Sequence, residues 1–149
     1  MKRLPFILRD HREQLRERWL AALAEANAGE DYRELVASPV GDRFLRKLVD
    51  DLVALSEAEP YELPALRRRL HEDAACEAEH RLGLGFARLD LVKGWQGVLA
   101  AAIDVLEDAV ALGEAPSPGE TLLEFKGFAS LLDHLVRVTM TTPAPAEGG

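Results

Sequence analysis

The chain of 149 residues carries a single cysteine, Cys76, so it forms no internal disulfide and no thiolate metal cluster. That scarcity fits a reducing compartment, and the expected location is the cytoplasm. Long apolar runs are missing too. No stretch reaches the roughly 18 consecutive apolar residues of a membrane-spanning helix. The apolar start after Lys2 and Arg3 is broken at once by Arg9, Asp10, His11 and Arg12, too early for a signal peptide. Basic residues are outnumbered, 18 Lys and Arg against 26 Asp and Glu, for a net charge of −8. A surface of that sign argues against nucleic-acid partners, whose phosphates need many cations, and against anionic membranes. Strand-like alternation of period two is absent over any useful length, and so are a glycine-rich phosphate loop, a GxSxG elbow and a Ser-His-Asp order. The sequence points to no enzyme.

What is present is helical periodicity in a chain that is 48% hydrophobic and 30% charged, the balance of a single globular domain with a real core. A first helix is expected over 5–26, with Leu8, Leu15, Trp19 and Leu23 on one face, ended by Asn27 and Gly29. A short segment at 32–36 leads to Ser38-Pro39, a cap followed by a proline suited to the first helical turn. The next helices read as 39–55, 64–82 and a long one starting near 86 or 88 and ending at 112. Pro60, Pro64, Gly83, Gly85 and Gly113 punctuate them. Ser117-Pro118-Gly119-Glu120 is a capping box opening a last helix to about 141. The domain is therefore 1–141, and 142–149 reads as a flexible Pro/Ala/Gly tail.

The last two helices are apolar around more than one face. Leu91, Trp95, Val98, Ala102 and Val105 make one stripe, and Val92, Leu99, Ile103 and Leu106 make another beside it. Phe125, Phe128, Leu132 and Leu135 broaden the final helix in the same way. The excess has two readings: a central helix buried in a monomer, or a subunit interface. A homodimer forming a four-helix bundle is the economical version of the second, with Trp95, Leu99, Ile103, Leu106, Phe128, Leu132 and Leu135 at the interface.

Chemistry-bearing clusters are weak. His11 and His134 read as solvated; His71 and His80 share one helix but are nine residues apart and point to opposite sides. They cannot bind one metal jointly, as an i, i+4 pair does, though either alone is a candidate axial ligand of haem iron. The acidic pairs Asp50-Asp51, Glu72-Asp73 and Glu107-Asp108 are neighbours that diverge on a helix. Arg67-Arg68-Arg69 reads as surface salt bridging.

The run 7–20, with Leu8, Glu13, Leu15 and Trp19 in the order leu-x4-glu-x-leu-x3-trp, resembles the start of the N-terminal sensory domain of RsbR-type stressosome proteins, the RsbT co-antagonist family. Arg81-Leu82-Gly83 followed by Leu89, Leu91, Val92, Trp95, Val98, Ile103 and Leu106 resembles its second half. The likeness spans most of 4–141 and rests on hydrophobic pattern. It implies a globin-like, dimeric fold without haem. Haem-binding globin-coupled sensors look similar around 81–84, and aligned there their ligating histidine falls at Glu79, with His80 one place later. One helical residue turns a side chain by about 100°.

The resulting expectation is an all-α, globin-like sensor domain of five to six helices, its last two forming a dimeric four-helix bundle. Its function would be non-enzymatic: a signal, for which a small apolar ligand is one candidate carrier, passes through the dimer to an output partner, with no cofactor and no metal. The RsbR likeness also implies either a stand-alone relative or an excised input domain. The rivals are a haem-binding gas or redox sensor using His80 or His71, and an interaction module with no ligand.

Overall fold

The computed structural model describes residues 3–144 and contains seven helices, with no strand among them. They are α1 (Leu4–Asp10), α2 (Arg12–Glu25), α3 (Glu30–Ala37), α4 (Pro39–Glu57), α5 (Leu63–Gly83), α6 (Arg88–Ala111) and α7 (Pro118–Thr141). No helix among the described residues is long and apolar enough to cross a membrane.

The helix count exceeds the five to six expected. The first expected helix is two, because His11 leaves helical geometry at φ −110°, ψ 32°. No glycine or proline marks that break, and the stripe Leu8, Leu15, Trp19 runs straight across it. The bend is fixed from outside. His11 Nε2 lies 2.9 Å from Glu114 Oε2 in the α6–α7 connection, so this histidine is a half-buried tether rather than a solvated side chain. The short 32–36 segment is a true helix, α3, two turns long.

Elsewhere the local signals act as their chemistry suggests. Ser38 caps α4 by accepting from the Val40 N–H at 3.2 Å, with Pro39 in the first turn. Ser117 accepts from the Glu120 N–H at 3.4 Å and opens α7. Asn27, at φ 55°, closes α2, while the Ala28 N–H reaches back to the Leu23 carbonyl. Gly85, at φ 94°, turns the chain from α5 to α6.

The core is organised around α6. Leu91, Val98, Ala101, Ala102, Val105 and Ala109 are buried along it. Its most extensive partner is α2, through Leu15, Trp19 and Leu23, followed by α7 and α1. α4 closes the opposite side with Leu45, Leu48, Val49 and Leu52, against α1, α2 and α3. Each large apolar side chain buried here contributes about 1.5–3 kcal/mol. α5 is the exception. It rests on α7, touches α4 lightly, and buries only Leu70, Ala74 and Ala78.

The apolar excess of α6 and α7 divides in two. Leu106, Phe128, Leu132 and Leu135, all expected at a subunit interface, are buried inside this one chain. Trp95 and Leu99 are half-buried, and Ile103 is exposed. Helix α6 is thus the central helix of the domain, and that role accounts for most of its apolar circumference. At the C-terminal end Thr142, expected to begin the flexible tail, is buried and caps α7 by donating its hydroxyl to the Val138 carbonyl. Pro143 and Ala144 are exposed, and the rest of that tail, 145–149, lies outside the described residues.

One close approach gives a sharp test of this packing. The Tyr32 hydroxyl sits where a Cβ on Gly94 would be, whereas nothing lies near a Cβ built on Gly127 of α7. Gly94→Ala should cost about 1–3 kcal/mol through overpacking, and Gly127→Ala should be neutral or stabilise by up to about 1 kcal/mol. Urea denaturation of the two variants beside the unsubstituted protein measures both.

Candidate ligand slot beneath helix α5

Helix α5 lies over an aromatic-lined slot whose walls come from six helices. Trp19 stands on α2, Tyr32 and Val36 on α3, Phe44 on α4, Leu91 and Trp95 on α6 and Thr139 on α7; Ala74, Ala78 and Arg81 of α5 form the roof. The rings form a chain. Trp19 stacks on Phe44 with centroids 5.4 Å apart, and Phe44 meets Trp95 at 5.0 Å. Tyr32 meets Phe86 edge-on at 6.0 Å. The cavity is about 40 Å³, and a second of about 80 Å³ adjoins it, sharing Phe44, Ala74, Glu77 and Trp95. The space exists because α5 presents alanines to large aromatic rings.

Both indole N–H groups are satisfied by the protein itself. Trp19 Nε1 donates to the Gly94 carbonyl at 2.9 Å. Trp95 Nε1 donates to Thr139 Oγ1, also at 2.9 Å, and the Thr139 hydroxyl passes its own proton to the Leu135 carbonyl. The tryptophans therefore offer an incoming molecule ring faces and edges, not donors. Polar contacts are available only at the Arg81 end. There the guanidinium pairs with Glu77 Oε1 at 2.6 Å, one turn away on the same helix. Burial holds the Tyr32 hydroxyl well above its ordinary pKa, and the acids Asp90 and Glu77 push the same way against Arg81. Tyr32 is thus a neutral phenol in the folded protein. An apolar, aromatic cavity with a few polar groups at one end is the form small-molecule sites take.

The sequence-nominated ligands lie elsewhere. His71, Glu79 and His80 are all exposed on α5, and none lines the slot. A haem iron beneath α5 would need that helix to turn about its axis to bring in either histidine, and a porphyrin far exceeds the cavity as it stands. The arginines 67–69 are exposed. Among the described residues no three His, Cys, Asp or Glu converge on a common point. Trp19 and Trp95 were legible as apolar stripe residues, but Tyr32, Phe44 and Arg81 carry no sequence signal that would place them together. Compared with known proteins, the chain matches no family model, no curated protein and no solved structure.

α5 is tied down by polar contacts at its edges. Lys47 of α4 donates to Asp73 of α5 and to Asp51, each at 3.0 Å. Partial burial alone would lower the Lys47 pKa, but its two carboxylate partners outweigh that and raise it. Tyr32 and Lys47 then act with the same sign. Below a pH of about 10 both hold their protons in folded and unfolded chains alike. Above it the unfolded chain releases protons that the folded one keeps, so stability falls as pH rises. Urea melts at pH 8, 10 and 11 should show that fall, and Tyr32→Phe should remove up to about 1 kcal/mol per pH unit of it.

Proposed function

We propose that this chain is a non-enzymatic sensor or regulatory domain of the globin-like, non-haem kind that RsbR-type sensory domains represent, with the space beneath α5 as its receiving site. The single observation that carries the reading is the mismatch across that space: a helix roofed with alanines over the contacting rings of Trp19, Phe44 and Trp95. The molecule sensed is a small, flat, apolar one. The existing cavity is small, so occupancy lifts α5, and the ligand biases the domain through its preference for the lifted state.

The route outward runs along α7. Trp95, in the wall, holds Thr139 of α7 by its indole bond. Arg88, at the start of α6 and just past the α5–α6 turn, donates to the carbonyls of Thr139 and Thr142 at 2.7 and 2.6 Å. A shift of α5 and its turn therefore bears on the end of α7 through two named contacts, a small displacement of packed helices rather than a refolding. The output is a partner protein in the cytoplasm. A homodimer belongs to the same reading, supported by the part of the α6 and α7 surface that the core leaves uncovered: Ile103, Val110, Leu122 and Leu123.

Indole is a suitable probe. It should raise the thermal midpoint of the protein, read by calorimetry, and Ala78→Leu, which fills the slot from the roof, should abolish that rise while leaving the fold intact. An unshifted midpoint at millimolar indole, or equal shifts in the variant, would remove the slot as a receiving site.

The dimer is tested by light scattering at tens of micromolar protein. The unsubstituted chain should run as a dimer, and Ile103→Arg with Leu123→Arg should make it a folded monomer. Leu132→Arg should unfold it instead, because its side chain is only 2% exposed and a buried unpaired charge costs several kcal/mol.

A further inference from the structure

His71 of α5 and His134 of α7, 63 residues apart in sequence, meet on the surface. His71 Nδ1 and His134 Nε2 are 3.1 Å apart, with ring centroids at 5.2 Å and planes inclined by 38°. Both side chains are exposed. As they stand the two nitrogens share one proton, one ring donating and the other accepting.

Two imidazole nitrogens bound to one tetrahedral metal ion at about 2.05 Å each are separated by about 3.3 Å. The observed separation is within a few tenths of an ångström of that value. It is set by two different helices. Imidazole nitrogen suits zinc and copper among the available divalent ions, and copper(II) heads the affinity order for such ligands.

We propose that His71 and His134 form a binding site for a divalent transition cation, Zn²⁺ or Cu²⁺, which replaces the shared proton and ties α5 to α7. Two protein ligands come from the histidines. The exposed side of the pair lets water complete the coordination, since among the described residues no third His, Cys, Asp or Glu converges there. The surroundings set a moderate affinity. Arg67 lies one turn before His71 and shares with His134 the groove between α1, α4, α5 and α7, where its charge opposes a cation. Asp133, beside His134, is engaged by Arg137 at 2.9 Å and does not offset it. The net charge of −8 favours cations over the molecule as a whole. Bound metal would replace a weak surface contact with a two-point clamp on the least tightly packed helix.

The test uses the full chain without an affinity tag. Cu²⁺ and Zn²⁺ are titrated by calorimetry at pH 7.5, and the copper form is read by electron paramagnetic resonance. One ion per chain is expected, with hyperfine structure from two imidazole nitrogens. His71→Ala and His134→Ala, both at exposed positions, should each weaken binding at least tenfold. Zn²⁺ should raise the thermal midpoint of the unsubstituted protein, reversibly with EDTA, and not that of either variant. Arg67→Ala should tighten binding. Wild-type affinity no better than that of the double variant, or either single variant retaining it, overturns the site and leaves only a hydrogen-bonded pair.

Discussion

The indole N–H of Trp19 reaches across from α2 to the carbonyl of Gly94 on α6, and the rest of the molecule is arranged about that contact. It is possible because α6 presents glycine at 97, so the Trp19 ring lies directly against helix backbone, while Gly94 one turn away makes room for Tyr32. A buried indole donor without its acceptor would cost about 1–3 kcal/mol, so the bond fixes the register of the two helices as well as their distance. From Trp19 the order spreads by ring contact. Phe44 stacks on it and brings α4; Trp95 packs on Phe44 and, through Thr139, brings α7. Four helices are located by one chain of aromatic and polar contacts.

Against that frame α5 is held by different means. Its buried residues are one leucine and two alanines, where α4 and α7 bury four or more side chains apiece, most of them large. Ala75 and Leu82 add half-buried packing, and its polar ties to other helices are the Lys47–Asp73 pair and the histidine contact, both at the surface, where such pairs contribute about 0–1 kcal/mol. The helix with the weakest hold covers the largest cluster of rings. Loosely held elements above preformed apolar surface are the ones that open locally without unfolding the whole, and this favours α5 over the tightly packed α2–α6 pair as the place of the proposed receiving site.

Much of the frame was legible in the sequence, because helix periodicity and caps are local. Ser38-Pro39, the Ser117 cap, Asn27 and Gly85 each act through residues within a few positions of themselves. The break at His11 was not legible, since it is made by Glu114, more than a hundred residues away. The apolar width of α6 was visible, but pattern alone does not distinguish a central helix from a subunit interface. Leu106, Phe128, Leu132 and Leu135 fall within the core because α2 and α5 both need partners there. The slot was hidden for a related reason: Tyr32, Phe44 and Arg81 stand on three helices, and only tertiary packing brings them to one cavity. His71 and His134 looked solitary because sequence distance conceals adjacency across α5 and α7.

The central claim is that α5 moves as a unit over a fixed aromatic frame. Native-state hydrogen exchange measures this directly. Amides of α5 around Ala74 and Ala78 should exchange through a local opening whose free energy is clearly below that of global unfolding. Amides of Trp19, Val98 and Ala102 should exchange only when the whole chain unfolds. If the α5 amides are as protected as those of α6, and respond to denaturant with the same slope, α5 is part of one rigid core and the account is wrong.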